Sequence, residues 1–425
     1  MPDSDFFLAV ELAGTGAHPA SWRRRDSRAE DLFTAAYWVD AITAVEKAGA
    51  DAVFLPDSFG LQPGGAATAQ GRLDAVAIAA RVAAATHRIG LLPQAPVTHT
   101  EPFHLSKAIA SLDFATFGRA GWEVTVSEGA EQAKAFGRKG ARDPAALWHE
   151  ADEAVEVVTR LWDSWEDDAE IRDLPTGRFI DRDKLHYIGY AGDNFSVKGP
   201  SITPRSPQGQ PIVAVRADEG PSIQVAVRRA DLIRVAPPDL DAAHARRAAL
   251  RSALLGADRD PDAVRVLIDI DIHLADTAER AYAELAELDR WSASATAPLS
   301  GAPASSRGGA EPIAPQGGAK YTAPQGGAKH TAPQGGAEHT APHVGTRATG
   351  SVLRHIGTGD SLTELLAAVA DSDAADGVVL RPLAVQATLR HLPTAPPAPA
   401  TTLRERLDLP RPPSRYATIQ EGTPS

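Results

Sequence analysis

The chain contains no cysteine, which excludes a disulfide framework, a thiolate metal centre and a cysteine nucleophile. It has no excess of positive charge either. Lys and Arg number 43 against 55 Asp and Glu, for a formal net charge of −12. Nucleic acid and anionic membrane surfaces need a clustered positive field, so neither is an expected partner. No apolar run reaches the roughly 20 residues of a bilayer span. The start, MPDSD, has neither a basic nor an apolar leader region, so the chain reads as cytoplasmic and without a signal peptide. A Walker loop, a GxGxxG turn, a Ser/His/Asp signature and a His-x-x-x-His pair are all missing. No metal site is expected.

What is present is alternation. Residues 6–12 (FFLAVEL) are a short, nearly continuous apolar run, the pattern of a buried strand. Residues 30–48 then repeat apolar side chains at helical spacing and stop at Gly49. The pair recurs. Strands are predicted at 51–57, 89–92, 120–126, 211–215, 232–235, 264–272 and 377–380. Helices are predicted at 73–86, 104–114, 144–162, 223–229, 240–255, 277–291 and 362–370. Short apolar runs separated by helices imply parallel strands joined by crossovers. About eight such units favour an α/β fold of the closed (β/α)8 TIM-barrel type over an open sheet.

Two stretches interrupt the pattern. Residues 166–210 are too long for a loop and carry short apolar pieces at 185–190 and 194–197, the makings of a small hairpin excursion. Residues 293–349 hold a nine-residue repeat, APQGGAKYT and its successors from Ala323, Ala332 and Ala341. The aspartates and alternating bulky positions of a calcium-binding roll are missing from it. With almost no aliphatic side chains it reads as disordered. His330 and His339 make no convincing metal pair on such a segment. The expected organisation is a barrel portion over 1–292, the repeat insertion over 293–349, and the last barrel unit with a tail over 350–425.

In a barrel, function gathers where strands end at their carboxyl side. That rule selects Glu11, Asp57, Thr98 to Glu101, Ser127, Glu128, Arg216 to Glu219, and Arg381. Asp57 reads equally as a polar contact to a ligand or as a loop-capping carboxylate. His99 is a candidate base or a plain loop histidine. Trp122, inside an apolar strand, reads as core before stacking platform. The acidic run EDDAE at 166–170 reads as a solvated helix end before a cation site.

Several stretches resemble the bacterial luciferase-like, flavin-dependent monooxygenases, in particular the nitrilotriacetate and dibenzothiophene-sulfone monooxygenase branch. They are LWDSWEDDA at 161–169, FSVKGP at 195–200 running into PRSPQG at 204–209, and TLRERL with RPPSRY at 402–407 and 411–416. Weaker likenesses are GAH at 16–18 with SWR at 21–23, FLPD at 54–57, EPFHL at 101–105 and GRAGW at 118–122. The resemblance implies a (β/α)8 barrel that receives reduced FMN from a separate flavin reductase and uses O2 on a small organic substrate, as a homodimer. It places Asp57 beside the flavin ring, Thr98 near the ring edge and Ser127 at the end of the strand motif. Trp148 stands where the family has a tyrosine. The family's phosphate loop falls on Asp218, Glu219 and Gly220, with Arg216 as the compensating cation. Glu123 replaces an asparagine, and a carboxylate there would disfavour an anionic reduced flavin. Related barrels suggest two alternatives: a deazaflavin F420-dependent oxidoreductase, and a non-catalytic barrel serving as a binding or partner subunit.

Overall fold

Eight parallel strands close on themselves. They are β1 (Phe7–Glu11), β2 (Ala52–Leu55), β3 (Gly90–Pro96), β4 (Gly121–Thr125), β5 (Ile212–Arg216), β6 (Leu232–Val235), β7 (Arg265–Leu274) and β8 (Gly377–Pro382). Each pairs with the next, and β8 returns to β1 with Phe7 opposite Gly377 and Val10 opposite Leu380. The barrel expected from the alternation is therefore the fold. The structure, a computed structural model, describes residues 6–64, 68–218, 220–296, 352–394 and 401–416.

The helices α1 (Ala35–Lys47), α2 (Ala75–Ala83), α3 (Pro102–Thr116), α4 (Ala130–Phe136), α5 (Pro144–Asp163), α6 (Gly220–Arg229), α7 (Leu240–Gly256), α8 (Ala278–Thr296), α9 (Gly359–Asp371) and α10 (Val385–Leu389) lie on the connections. Local chemistry sets several starts. Asp74 and Asp143 cap α2 and α5 by accepting from the backbone N–H of Ala77 and Ala146, and Pro144 opens α5.

Side-chain alternation along each strand divides the molecule into an inner and an outer core. On β1, Phe7 and Ala9 point into the barrel while Val10 packs outward against the helices. On β7, Leu267 is inside while Ile268, Ile270 and Ile272 are outside. The lower interior is apolar. Leu403, Leu407 and Leu409 pack into the same cluster as Phe7, Phe54 and Leu92. The C-terminal helix α11 (Leu403–Arg406) thus closes the amino-terminal mouth of the barrel. Each such buried leucine contributes roughly 1.5–3 kcal/mol. Arg404 fixes the plug by pairing with Asp231 at 3.0 Å.

The structure differs from the sequence reading in several places. Helix α1 begins at Ala35, because residues 29–31 form a separate 3-10 turn. Helix α4 was not expected, being seven residues between two glycines. The excursion at 166–210 carries two hairpins, Glu170–Asp173 with Arg178–Ile180 and Tyr190–Ala191 with Ser196–Val197. A short strand Arg354–Gly357 adds beside β7 outside the closed barrel. Residues 293–296 complete α8, and the remainder of the repeat insertion lies outside the described residues, as do His330 and His339. Among the described residues no helix is long and apolar enough to cross a membrane.

Candidate active site

The upper interior, toward the carboxyl ends of the strands, is ionic. Inward positions here carry Glu11, Glu123, Arg216, Arg234, Asp269, Asp271 and Arg381. Arg234 is fully buried at the centre. It donates to Glu123 Oε1 at 2.8 Å, to Glu11 Oε2 at 2.7 Å and to Asp269 Oδ1 at 3.0 and 3.1 Å. Its guanidinium lies 4.3 Å from the Phe54 ring centroid. Arg381 bridges Glu11 and Asp271, each at 3.2 Å. Arg216 pairs with Asp269 and lies 3.6 Å from Asp218. Burial alone would raise the Glu11 pKa. The guanidinium groups of Arg234, Arg381 and Arg216 outweigh it and hold the carboxyl far below the usual range. Burial and the neighbouring Arg234 push Arg216 down to about 10, so it stays protonated at neutral pH.

This network changes the reading of Glu123. The expected free carboxylate is a neutralised member of an ion cluster, held by an arginine from β6. Arg216 is likewise not the free cation expected for a phosphate, because Asp269 and Asp218 engage it.

Two cavities open above this floor. One, of about 370 Å³, sits over β3 to β5 and is lined by Gln94, Val124, Val126, Gln132, Trp148 and Arg216, with Asp218 and Ser222 at one end. The other, of about 330 Å³, sits over β1, β2 and β8. Its tight corner is Gly16, at φ 147°, where a Cβ would overlap the Leu383 carbonyl oxygen.

The expected residues fall around the first cavity unevenly. Trp148 and Arg216 line it. Thr98 and Ser127 are buried together, the Thr98 hydroxyl accepting the Ser127 backbone N–H at 2.9 Å. Ser127 Oγ is buried without a partner, as is Gln132 Oε1. Asp57 takes the capping alternative. Its carboxylate accepts the backbone N–H groups of Ser58 at 2.7 Å and Ala75 at 2.9 Å, tying the β2 loop to the start of α2. Burial pushes its pKa up. Its own backbone N–H donates to Gln94 Oε1 at 3.0 Å, which links it to the cavity wall. Gly220 opens α6, and nothing lies within 4 Å of where its Cβ would stand. Glu219 lies outside the described residues.

Sequence reasoning missed Gln94, Gln132, Ser222 and Arg234. Gln94 and Arg234 had a signal: each is a polar residue at an inward step of an apolar strand. The Ser222 hydroxyl accepts the Asp218 N–H at 3.1 Å. Gln132 rides on α4, the unforeseen helix. So does Phe136, which stacks on His99 at 4.6 Å. His99 is buried, and neither of its ring nitrogens has a hydrogen-bond partner. Burial first, and the Lys139 charge second, lower its pKa. Trp122 is core, edge-on to Trp162. The acidic run at 166–170 is tied by basic partners, including Asp167 by Arg205 and Arg411.

A closed parallel barrel with polar cavities at the carboxyl ends of its strands defines a ligand-binding α/β-barrel protein. Residues 10–375 match the family model described as luciferase-like monooxygenase, and the chain belongs to that family. It is 34% identical to N-acetyl-S-(2-succino)cysteine monooxygenase of Bacillus subtilis (strain 168), over 66% of this chain and 64% of that protein. It is 30% identical to nitrilotriacetate monooxygenase component A of Aminobacter aminovorans, over 64% and 62%. The chain thus spans just under two thirds of the length of these curated relatives. A solved riboflavin lyase, described with modified FMN and riboflavin, superposes with a TM-score of 0.74 at 23% identity over 95% of each chain. That likeness bears on the fold.

Proposed function

We propose that the chain is the oxygenase of a two-component, flavin-dependent monooxygenase, taking reduced FMN from a separate flavin reductase and using O2 on a small organic substrate. The observation that carries this reading is the cavity over β3 to β5 in a luciferase-like chain, with Gln132 Oε1 buried and unpartnered in its lining and Ser127 Oγ likewise unpartnered between the lining residues Val126 and Glu128. Orphaned buried polar atoms call for a ligand or water, and about 370 Å³ lies within the usual range for a small-ligand site.

The residues present fit a flavin. Trp148, Val124 and Val126 supply apolar wall that keeps a ring dry, and Ser127 and Gln132 supply polar contacts at its edge. The start of α6, with Ser222 and open space above Gly220, would receive the phosphate through backbone N–H groups. Asp218 opposes that phosphate and weakens it. Arg234 neutralises Glu123, so this carboxylate does not repel reduced flavin. When bound, reduced FMN supplies two electrons to O2, one oxygen atom entering the substrate and the other leaving as water. The chain binds and orients the ring, excludes water and holds a fixed ionic floor beneath it.

Stopped-flow mixing tests the reading. Stoichiometric protein should change the rate at which O2 reoxidises reduced FMN, and F420 should not compete for the site. Reoxidation at the rate of free reduced FMN contradicts it. Size-exclusion chromatography of the same sample tests the homodimer that the family reading carries.

A further inference from the structure

The second cavity contains an unpaired cation. Arg72 lies in the segment between β2 and α2 and lines the pocket over β1, β2 and β8. Its Nε is buried without a partner, and its guanidinium makes no hydrogen bond or ion pair among the described residues. Asp57 acts on it only through space, since the Asp57 oxygens are taken by the backbone of Ser58 and Ala75. The other cation in this pocket, Arg381, is committed to Glu11 and Asp271. The buried Thr68 Oγ1, also in the lining, has no partner either. Around this polar pair the wall is apolar: Leu32, Trp38 and Ile78 line it, and Phe33 stands at the surface with 53% of its area exposed. A half-buried guanidinium without a hydrogen-bonded counter-charge is costly, and a carboxylate is the group its planar fork matches best.

We propose that this cavity binds an amphipathic organic carboxylate, its acidic group paired with Arg72 and Thr68 and its apolar body against Leu32, Trp38 and Ile78. Its role as the substrate rests on the monooxygenase reading; the binding itself does not. Glu11 in this lining bonds Arg234, which bonds Asp269, the partner of Arg216 in the lining of the flavin cavity, so one ionic network underlies both cavities.

The test uses the full chain without flavin. Calorimetry compares 4-phenylbutyrate and octanoate with their uncharged amides, against wild type, Arg72→Gln and Arg72→Lys, with circular dichroism to confirm folding. The expected result is at least about tenfold tighter binding of the acids than of the amides. Arg72→Gln should erase that preference and leave amide binding unchanged, and Arg72→Lys should keep part of it. Equal affinity for acid and amide, no binding of either acid at about 10 mM, or an unaltered preference in folded Arg72→Gln overturns the proposal. Because flavin is absent, failure here leaves the flavin reading standing, and failure of flavin binding leaves this one standing.

Discussion

Arg234 and Glu123 are 111 residues apart in sequence and 2.8 Å apart inside the barrel, both fully buried. Arg234 is the only basic group of the described residues that bonds Glu123. Replacing it strands a carboxylate in a low-dielectric interior. Arg234→Met is therefore expected to cost about 3–5 kcal/mol of stability in urea unfolding. The double variant Arg234→Met with Glu123→Leu should recover a good part of that loss. Equal stability of wild type and the single variant would show that water already reaches Glu123.

Ser127 contributes to its surroundings in two separable ways. Its backbone N–H is held by Thr98, whereas its hydroxyl has no protein partner. Ser127→Ala should leave the melting temperature unchanged and weaken reduced FMN binding by about two- to twelvefold, the worth of one net hydrogen bond. Scanning calorimetry of the variant reads the melting temperature, and anaerobic titration reads the affinity for reduced FMN.

Asp218 stands at the α6 end of the flavin cavity, 3.6 Å from Arg216. Removing its charge relieves repulsion of a phosphate and frees part of the Arg216 field. Asp218→Asn is expected to tighten FMN about fivefold, from about 1 kcal/mol of relieved repulsion. Riboflavin, which has no phosphate, should bind both proteins alike. A parallel gain for riboflavin would place the effect at the ring instead.

The tail is held by charge at Asp167, which pairs with Arg411 and Arg205. The Arg411 hydrogen bond first, and the charge of Arg205 and Arg411, lower its pKa from 3.8 to about 2 despite partial burial. A pKa lower folded than unfolded means that the pairing stabilises the chain fully above pH 3.8. That contribution is lost as pH falls toward about 2. Limited proteolysis near Arg411 should therefore accelerate over this window, and Asp167→Asn should remove the pH dependence while making the tail more cleavable at neutral pH.

The fold was legible because barrel strands buried on both faces write short apolar runs into the sequence, and helices between them force parallel pairing. Leu232–Val235 was read with its true bounds. What that run could not say is where Arg234 points its charge. Period-two alternation places it inside, but its partners come from β1, β4 and β7 and are set only by closure of the barrel. The partner of Arg216 was hidden for the same reason: Asp269 lies on β7. Asp57 was balanced between ligand contact and cap, and the choice depended on the backbone of Ala75, eighteen residues on. Helix α4 is too short to show periodicity, so Gln132 and Phe136 were invisible as site residues. Arg72 left no sequence signal at all, since being unpaired is a property of the packed structure.

The cavity bounded by Trp148, Val126 and Gln132 is the proposed site of reduced FMN. Anaerobic titration of the wild-type protein with reduced FMN, followed by calorimetry, tests it most directly. Saturable one-to-one binding in the micromolar range, about −8 kcal/mol, is expected. No heat and no saturation up to near-millimolar reduced FMN would contradict it and leave F420 or a non-catalytic partner role as the surviving readings.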